Sequence, residues 1–402
     1  MFNNIPFLST QALTDFSRRF LVRVDLNVPV TADGTVGDEH RLAVLAPTLQ
    51  LLSKNGAKII LISHLGDPTS AAVAQSLETV ALALARQIKL PVSFYGSCIG
   101  VEAVNRTKAL QAGEILVLEN LRAQPGEKSN DKRFAQELAK LGDVYVNDAF
   151  ASSHREHASL VALPQLFSPA LGKERYAGLL MEKELSVYQK SLFQPKHPLC
   201  VVVGGAKVST KLKMLEQVSK AADKVIIGGA MANTFLAAQG LQMGRSLYEP
   251  ELIPNALGIL ANLSRRDAKV YLPVDLVASS GIKDGEGARA VTAQEFPADC
   301  MALDIGPATT ALYKLAVLNC ATLVWNGPMG AFENEAFSHG TFGLVEGIAA
   351  SHAFKVAGGG ETDAAIHQME LGHKFDFISS GGGAFLKLLE GNGLVALDAL
   401  KR

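Results

Sequence analysis

The stretch Val201–Lys211, VVVGGAKVSTK, decides the fold. Three β-branched apolar residues run into paired glycines and then into a segment of helical spacing that carries Lys207 and Lys211. An apolar run without alternation marks a strand buried on both faces, which is the condition of a parallel sheet covered by helices. Bare backbone amides at a helix start, with ammonium groups beside them, suit phosphate. The loop does not have the GxxxxGK[ST] spacing, and no GxGxxG occurs in the chain, so neither common nucleotide fingerprint is present. Taken alone, the segment reads equally well as a glycine turn of no special function.

Working outward, the pattern recurs. Strand-sized apolar runs are expected at Phe20–Val24, Ala57–Ile62, Ile115–Leu118 and Val144–Val146, then at Leu199–Val203, Lys224–Ile227, Lys269–Leu272, Thr322–Trp325, Phe354–Ala357 and Phe375–Ile378. Longer helical patterns separate them, so the chain is expected to be α/β, with two doubly wound, Rossmann-like parallel-sheet lobes joined by a helix and hinge. The segment 178–193, GLLMEKELSVYQKSLF, has helical spacing, and Gln194-Pro195-Lys196-His197-Pro198 breaks it. This gives an N-terminal domain over 1–177, an interdomain helix over 178–193 and a C-terminal domain over 194–393. The glycine pairs and triplets Gly204-Gly205, Gly228-Gly229, Gly358-Gly359-Gly360 and Gly381-Gly382-Gly383 each follow an expected strand of the second half. Open α/β sheets bind ligands at those carboxyl ends.

Bulk properties narrow the function classes. The 402 residues suffice for two cores, and 48% hydrophobic with 19% charged residues is an ordinary globular balance. Lys plus Arg total 38 and Asp plus Glu 39, so no global field favours nucleic acid or an anionic membrane, and any anion site must be built locally. Four scattered cysteines suggest a reducing compartment. The N-terminal residues lack a secretory pattern, and the longest apolar runs fall far short of the roughly 20 residues that span a bilayer. A cytoplasmic protein without membrane or nucleic-acid partners is the expectation.

Two chemistries stand out. In AGGGETDAA (357–365), three glycines precede an acid and a hydroxyl at a helix start, so Glu361 can meet a hard cation and Thr362 a phosphate; a helix cap with a favourable acid explains the same residues blandly. WNGPMGAFE (325–333) offers Asn326 to a phosphate and Glu333 to ribose hydroxyls, although Asn-Gly-Pro alone is a turn signal. The first half instead carries Arg41, His64, Arg122, His154, Arg155 and His157 past its strands, with Asp25 and Asn27 after the first. Singly, each Arg reads as solvated and each His as structural; together after successive strands they suit a small polyanion.

In order, RVDLNVP, RLAVLAPTL, SHLGDP, LENLR, NDAFASSHREHAS, GGAKVSTK, IIGGAMANTF, DIGPAT, WNGPMGAFE, AGGGETDAA and SSGGGAFL resemble the phosphoglycerate kinase family over about Arg23 to Leu386. The resemblance implies reversible transfer of a phosphoryl group from 1,3-bisphosphoglycerate to Mg-ADP, with Mg²⁺ and ATP or ADP required, in a monomer that bends at a hinge. It implies an acid site of Asp25, Leu26, Asn27, Arg41, His64, Leu65, Gly66, Asp67, Arg122, His154 and Arg155. For the nucleotide it implies Gly205, Ala206, Lys207 and Lys211 near the phosphates and Gly228, Gly229 and Gly306 around the base. Glu333 falls at the ribose, and Asn326, Gly359, Gly360, Glu361 and Thr362 fall at phosphates and metal. Arg41, Lys207 and the amide of Gly382 are the expected catalytic groups, and 394–402 is expected to pack back on the first domain.

Two positions depart from the family pattern: Asp67 stands where SHLGRP has Arg, and Glu361 where GGGDT has Asp. The first puts one acid contact in doubt; the second keeps the carboxylate and lengthens its reach. A nicotinamide-dependent dehydrogenase is disfavoured by the missing GxGxxG, and a two-lobed solute-binding protein by the missing secretory pattern.

Overall fold

The computed structural model of the chain describes residues 2, 4–9, 15–31, 34–37, 39–66, 76–283 and 285–401. They divide into two units, Met1–Ser186 with Gly393–Arg402, and Val187–Asn392.

The first unit is built on β1 (Arg19–Arg23), β2 (Lys58–Ile62), β3 (Val92–Tyr95), β4 (Ile115–Leu118), β5 (Val144–Asn147) and β6 (Glu174–Ala177). They form one parallel sheet in the order β3-β4-β2-β1-β5-β6, with Leu21 in register between Ile60 and Tyr145. Phe20, Val22, Ile59, Leu61, Val117, Val144 and Val146 enter one core, and their alternates Leu21, Ile60, Leu116 and Tyr145 are buried on the opposite face. That double burial is why these strands read as unbroken apolar runs. From β1 the chain builds toward β2 and later returns to add β5 on the other side, so the winding reverses between β1 and β5.

The second unit repeats the scheme with β7 (Leu199–Val203), β8 (Lys224–Ile227), β9 (Lys269–Tyr271), β10 (Asp275–Ser279), β11 (Arg289–Thr292), β12 (Met301–Ile305), β13 (Thr322–Asn326), β14 (Phe354–Gly358) and β15 (Phe377–Ser379). Six of these make a parallel sheet ordered β15-β14-β13-β7-β8-β9, whose winding reverses between β7 and β13. Trp325, Val202, Cys200, Leu323 and Tyr313 anchor its core. The other three form an antiparallel sheet, β11-β10-β12, with its own cluster around Leu276, Ala278, Ala302, Met243 and Phe296.

All ten expected strands are present, with ends displaced by at most two residues. Five others were not expected among the described residues, and three of them form the antiparallel sheet that the second lobe carries in addition to its parallel sheet. Segment 178–193 is an α-helix over Leu179–Tyr188 that continues as a π-helical turn over Gln189–Phe193. Its start is capped by Asp148, whose Oδ1 accepts from Met181 N at 3.1 Å. The last residues return to the first unit, where Ala396 N donates to Ser153 O at 3.1 Å and the Arg175 guanidinium holds the Leu400 and Lys401 carbonyls.

Asp148 is fully buried, and burial pushes its carboxyl up to about 6. Its folded pKa therefore lies above the ordinary value of 3.8, so its contribution to stability is complete below that value and is lost as pH rises through about 6. Asp148→Asn keeps the Oδ1 acceptor and removes the charge. Its melting temperature should exceed that of the wild type at pH 8, and its decline across the pH 4 to 7 window should be shallower; calorimetry at several pH values checks both.

Candidate active site

Both winding reversals carry the residues singled out from the sequence. In the first unit, β1 ends at Arg23 and the chain continues through Asp25, Leu26 and Asn27. Asp25 Oδ1 accepts from Asn27 N at 3.1 Å and Oδ2 from Ser152 Oγ at 2.9 Å. Leu26 N is held by Ser63 Oγ at 2.9 Å. Asn27 then reaches across: its Oδ1 accepts from Gly66 N at 2.7 Å, and its carbonyl accepts from Arg41 Nη1 at 3.0 Å. Asn120 fixes Leu65 from both sides, at 3.1 and 2.7 Å, and also accepts from Arg122 N at 3.0 Å. Arg122 Nη1 donates to the Gly66 carbonyl. One lattice of side-chain to backbone bonds therefore binds the ends of β1, β2 and β4 together.

His64 sits in this lattice with 2% of its surface exposed. Burial, reinforced by the charges of Arg23, Arg122 and Arg155 and by His157, pushes its imidazolium far below the ordinary range. His157 is pushed down to about 4 by burial, with Arg122, Arg23 and Arg155 acting in the same direction. The two imidazoles thus face the same three cations, Arg23, Arg122 and Arg155. His154 and Arg155 lie half-buried in the loop after β5, where Arg155 N bonds Ser152 O at 3.0 Å. Asp67 lies outside the described residues.

In the second unit, the loops after β7 and β13 lock together. Gly204 N bonds Asn326 O at 3.0 Å and Gly205 N bonds Pro328 O at 2.9 Å. A Cβ at Gly204 would stand 2.0 Å from the Pro328 carbonyl, so only glycine permits this approach. Lys211 turns its ammonium inward, donating to Gly204 O at 2.6 Å and Asn326 O at 2.9 Å. Burial pushes it down to about 8 against the pull of the Glu361 carboxylate. Asn326 Nδ2 bonds Gly358 O at 2.7 Å, and the buried Thr362 Oγ1 accepts from Gly327 N at 2.7 Å. Helices Gly360–Gln368 and Gly382–Leu389 start side by side: a Cβ on Gly382 would lie 3.6 Å from Gly359 Cα and 3.7 Å from Gly360 N. Two helix starts and the Lys211 ammonium lie around the same loops, an arrangement suited to anionic oxygens. Lys207 is exposed at the mouth of the Gly204-Gly205 loop.

Beside this spot runs a cleft of about 250 Å³, lined by Gly205, Ala206, Gly229, Glu333 and Glu361 and walled by Leu247, Leu276, Ile282, Met301, Leu303, Ile305 and Met329. Much of that apolar wall comes from β10 and β12, the sheet that the sequence reading missed. Asp304, buried on β12, also lines it; burial pushes its carboxyl up to about 7 while Gly340 N and Ile305 N bond it at 2.7 and 2.8 Å. Gly228 and Gly306 do not line the cleft. A Cβ at Gly228 would meet Met329 Sδ at 2.2 Å, and one at Gly306 would meet the Asp275 carboxyl at 2.2 Å. Gly306 instead admits Asp275 to cap helix Pro307–Leu318 through Ala308 N and Thr309 N. Sequence reasoning also missed Arg23, a fully buried cation whose position inside RVDLNVP was the available signal.

Among the described residues no group of three His, Cys, Asp or Glu side chains is poised to hold a metal, and no helix is long and apolar enough to cross a membrane. Residues 12–392 match the family model described as phosphoglycerate kinase. Proteins named phosphoglycerate kinase from Desulfosudis oleivorans and Aquifex aeolicus are 44% and 42% identical, with alignments covering 96% and 94% of both chains. One from Sinorhizobium medicae is 44% identical across 99% of this chain and all of its own. The solved phosphoglycerate kinase of Coxiella burnetii superposes with a TM-score of 0.85 at 33% identity over 98% of each chain, and that of Pyrococcus horikoshii with 0.82 at 31% over 96% of each. Two reversed-winding parallel sheets, a family match across nearly the whole length and relatives above 40% identity together place one conclusion beyond the motifs: this chain belongs to the phosphoglycerate kinase family.

Proposed function

We propose that the first unit holds 3-phosphoglycerate or 1,3-bisphosphoglycerate and the second holds ADP or ATP, and that the chain moves a phosphoryl group between them in a glycolytic and gluconeogenic step. The observation that carries this reading is the contrast between the two switch points. One is ringed by arginines around a buried imidazole; the other is lined by glycine amides and an apolar cleft. The first suits a small acid bearing phosphate, the second a base with a phosphate tail.

The acid's anionic oxygens would be gripped by Arg41, Arg122 and Arg155, with Asp25 and Asn27 receiving hydroxyl and backbone donors around them. In the second unit the base would fill the apolar cleft, Glu333 would meet the ribose, and two helix starts would meet the phosphates with Lys211, Asn326 and Thr362. A group in flight spreads negative charge over three equatorial oxygens, so Arg41, Lys207 and the amide of Gly382 act by fixed positive potential. The attacking oxygen is already anionic, and no side chain has to remove a proton. Since acid and nucleotide bind to different units, transfer requires a hinge movement that brings them together and excludes water.

Glu361, in the first turn of helix Gly360–Gln368 and beside Lys211, fits a hard cation shared with nucleotide phosphates, while Asp363 in the same turn is paired with His367; this donor set does not fit a cage built by protein alone. Glu361 would hold Mg²⁺, directly or through water, and the ion would neutralise charge on the nucleotide. Glu361→Ala should therefore raise the KM for Mg-nucleotide about tenfold or more and leave that for 3-phosphoglycerate within about twofold. Steady-state kinetics with each substrate varied checks this, and equal effects on both would remove the assignment.

The reading includes a cytoplasmic monomer without nucleic-acid or membrane partners, and sedimentation velocity tests its monomeric state. For the function itself, calorimetric titration should give one site each for 3-phosphoglycerate and Mg-ADP and no binding of NAD. Binding of NAD without Mg-ADP would overturn it.

A further inference from the structure

We propose that Glu127, Ser159 and Arg23 form a positioning relay that fixes His64 as a neutral imidazole carrying its proton on Nε2, so that His64 meets anionic oxygens as a hydrogen-bond donor and not as a cation. The proposal deepens the reading of the first unit given above and rests on it for the identity of the anion.

The direction of each bond follows from what each group can do. A guanidinium only donates. Arg23 Nη2 stands 3.1 Å from His64 Nδ1, so Nδ1 accepts and the ring proton belongs on Nε2. Arg23 is itself fully buried and held at every nitrogen: Nη1 donates to the Val24 carbonyl and Nε to Ser159 Oγ at 3.0 Å. The Ser159 hydroxyl has one proton, which goes to Glu127 Oε1 at 2.6 Å, leaving its lone pair for Arg23. Ser159 N bonds the other carboxylate oxygen, Oε2, at 2.9 Å. Glu127 is fully buried too, so it supplies the countercharge that a buried guanidinium requires.

The surroundings of His64 reinforce this. Arg23 comes from β1, Arg122 from the segment after β4, and Arg155 and His157 from the loop after β5; all oppose a charge on the ring. The nearby acids are engaged elsewhere. Glu127 bonds Ser159 and stands 3.9 Å from His157 Nδ1, while Asp25 is bonded by Ser152 and Asn27 N. A cation added at His64 would repel the arginines that the acid needs; a neutral donor adds a hydrogen bond without that repulsion. Its strength should also stay constant across the range in which an ordinary histidine titrates.

The test uses the full ¹⁵N-labelled chain without ligand. The His64 ring, assigned by comparison with His64→Gln, is followed by long-range ¹⁵N–¹H correlation between about pH 5.5 and 8.5, the range in which free imidazole changes charge. A bare Nδ1 and a protonated Nε2 throughout are expected. A protonated Nδ1, or a doubly protonated ring inside that window, overturns the proposal. In kinetics, Ser159→Ala should raise the KM for 3-phosphoglycerate about tenfold while moving that for Mg-ATP less than about twofold. An equal change in both constants, or in neither, counts against the relay. If Ser159→Ala does not fold, the wild-type spectrum still decides. Because that spectrum needs no substrate, failure of 3-phosphoglycerate to bind would fall on the functional reading and leave the relay standing.

Discussion

Arg41→Ala should lower kcat for phosphoryl transfer by about a hundredfold or more, with the KM for Mg-nucleotide changed by no more than about twofold. Arg41 lies in the short helix Glu39–Ala43, and its guanidinium is steered by the Asn27 carbonyl. Asn27 is tied in turn to Gly66, whose carbonyl accepts from Arg122. The side chain is thus fixed before any ligand arrives, and a preorganised cation stabilises developing charge without reorganising at the moment of transfer. Lysine should restore little, since a point charge on a flexible stem cannot reproduce the planar fork. Steady-state rates for wild type, Arg41→Ala and Arg41→Lys measure this; a lysine variant at wild-type rate would show that net charge alone matters.

Gly327→Ala should destabilise the second unit by about 3 kcal/mol and abolish measurable nucleotide binding, while 3-phosphoglycerate binding persists. Gly327 has φ of +97°, where a side chain is strained, and a Cβ there would stand 2.3 Å from Lys211 Nζ and 2.4 Å from Gly204 O. The clash cannot be relieved by one flexible side chain, because Gly204 O is backbone and Lys211 is itself bonded to two carbonyls. Chemical unfolding gives the stability and calorimetry the two affinities. Wild-type stability with intact Mg-ADP binding would show that the Gly204 and Gly327 loops are not locked as described.

The parallel sheets were legible because their strands bury both faces. ILVL in β4 and LCVVV in β7 leave no polar position to confuse the reading. Some edge strands were not: ERYA in β6 begins with a charge pair that the edge tolerates, and RAVT in β11 exposes three of its four residues. The glycine loops and basic residues were legible as residue types in a pattern, but their contacts were not. The family resemblance implied a place for Gly306 near the base, and the pattern gave no hint that its missing Cβ also admits Asp275. Arg23 sat inside an apolar strand, and its role emerges only when His64, Ser159 and Glu127, distant in sequence, converge on it. The apolar wall of the cleft was invisible for the same reason, since Leu276, Met301 and Leu303 belong to a sheet whose strands carry no strong periodicity.

The most direct test of the division of labour is ATP-dependent phosphorylation of 3-phosphoglycerate by the purified chain with Mg²⁺, read as acyl phosphate consumed by a coupled dehydrogenase, for wild type and Lys207→Ala. Robust turnover that requires both substrates, and that falls at least about tenfold in Lys207→Ala, is predicted. ATP consumed without 3-phosphoglycerate, or no acyl phosphate formed by the wild type, would contradict the account.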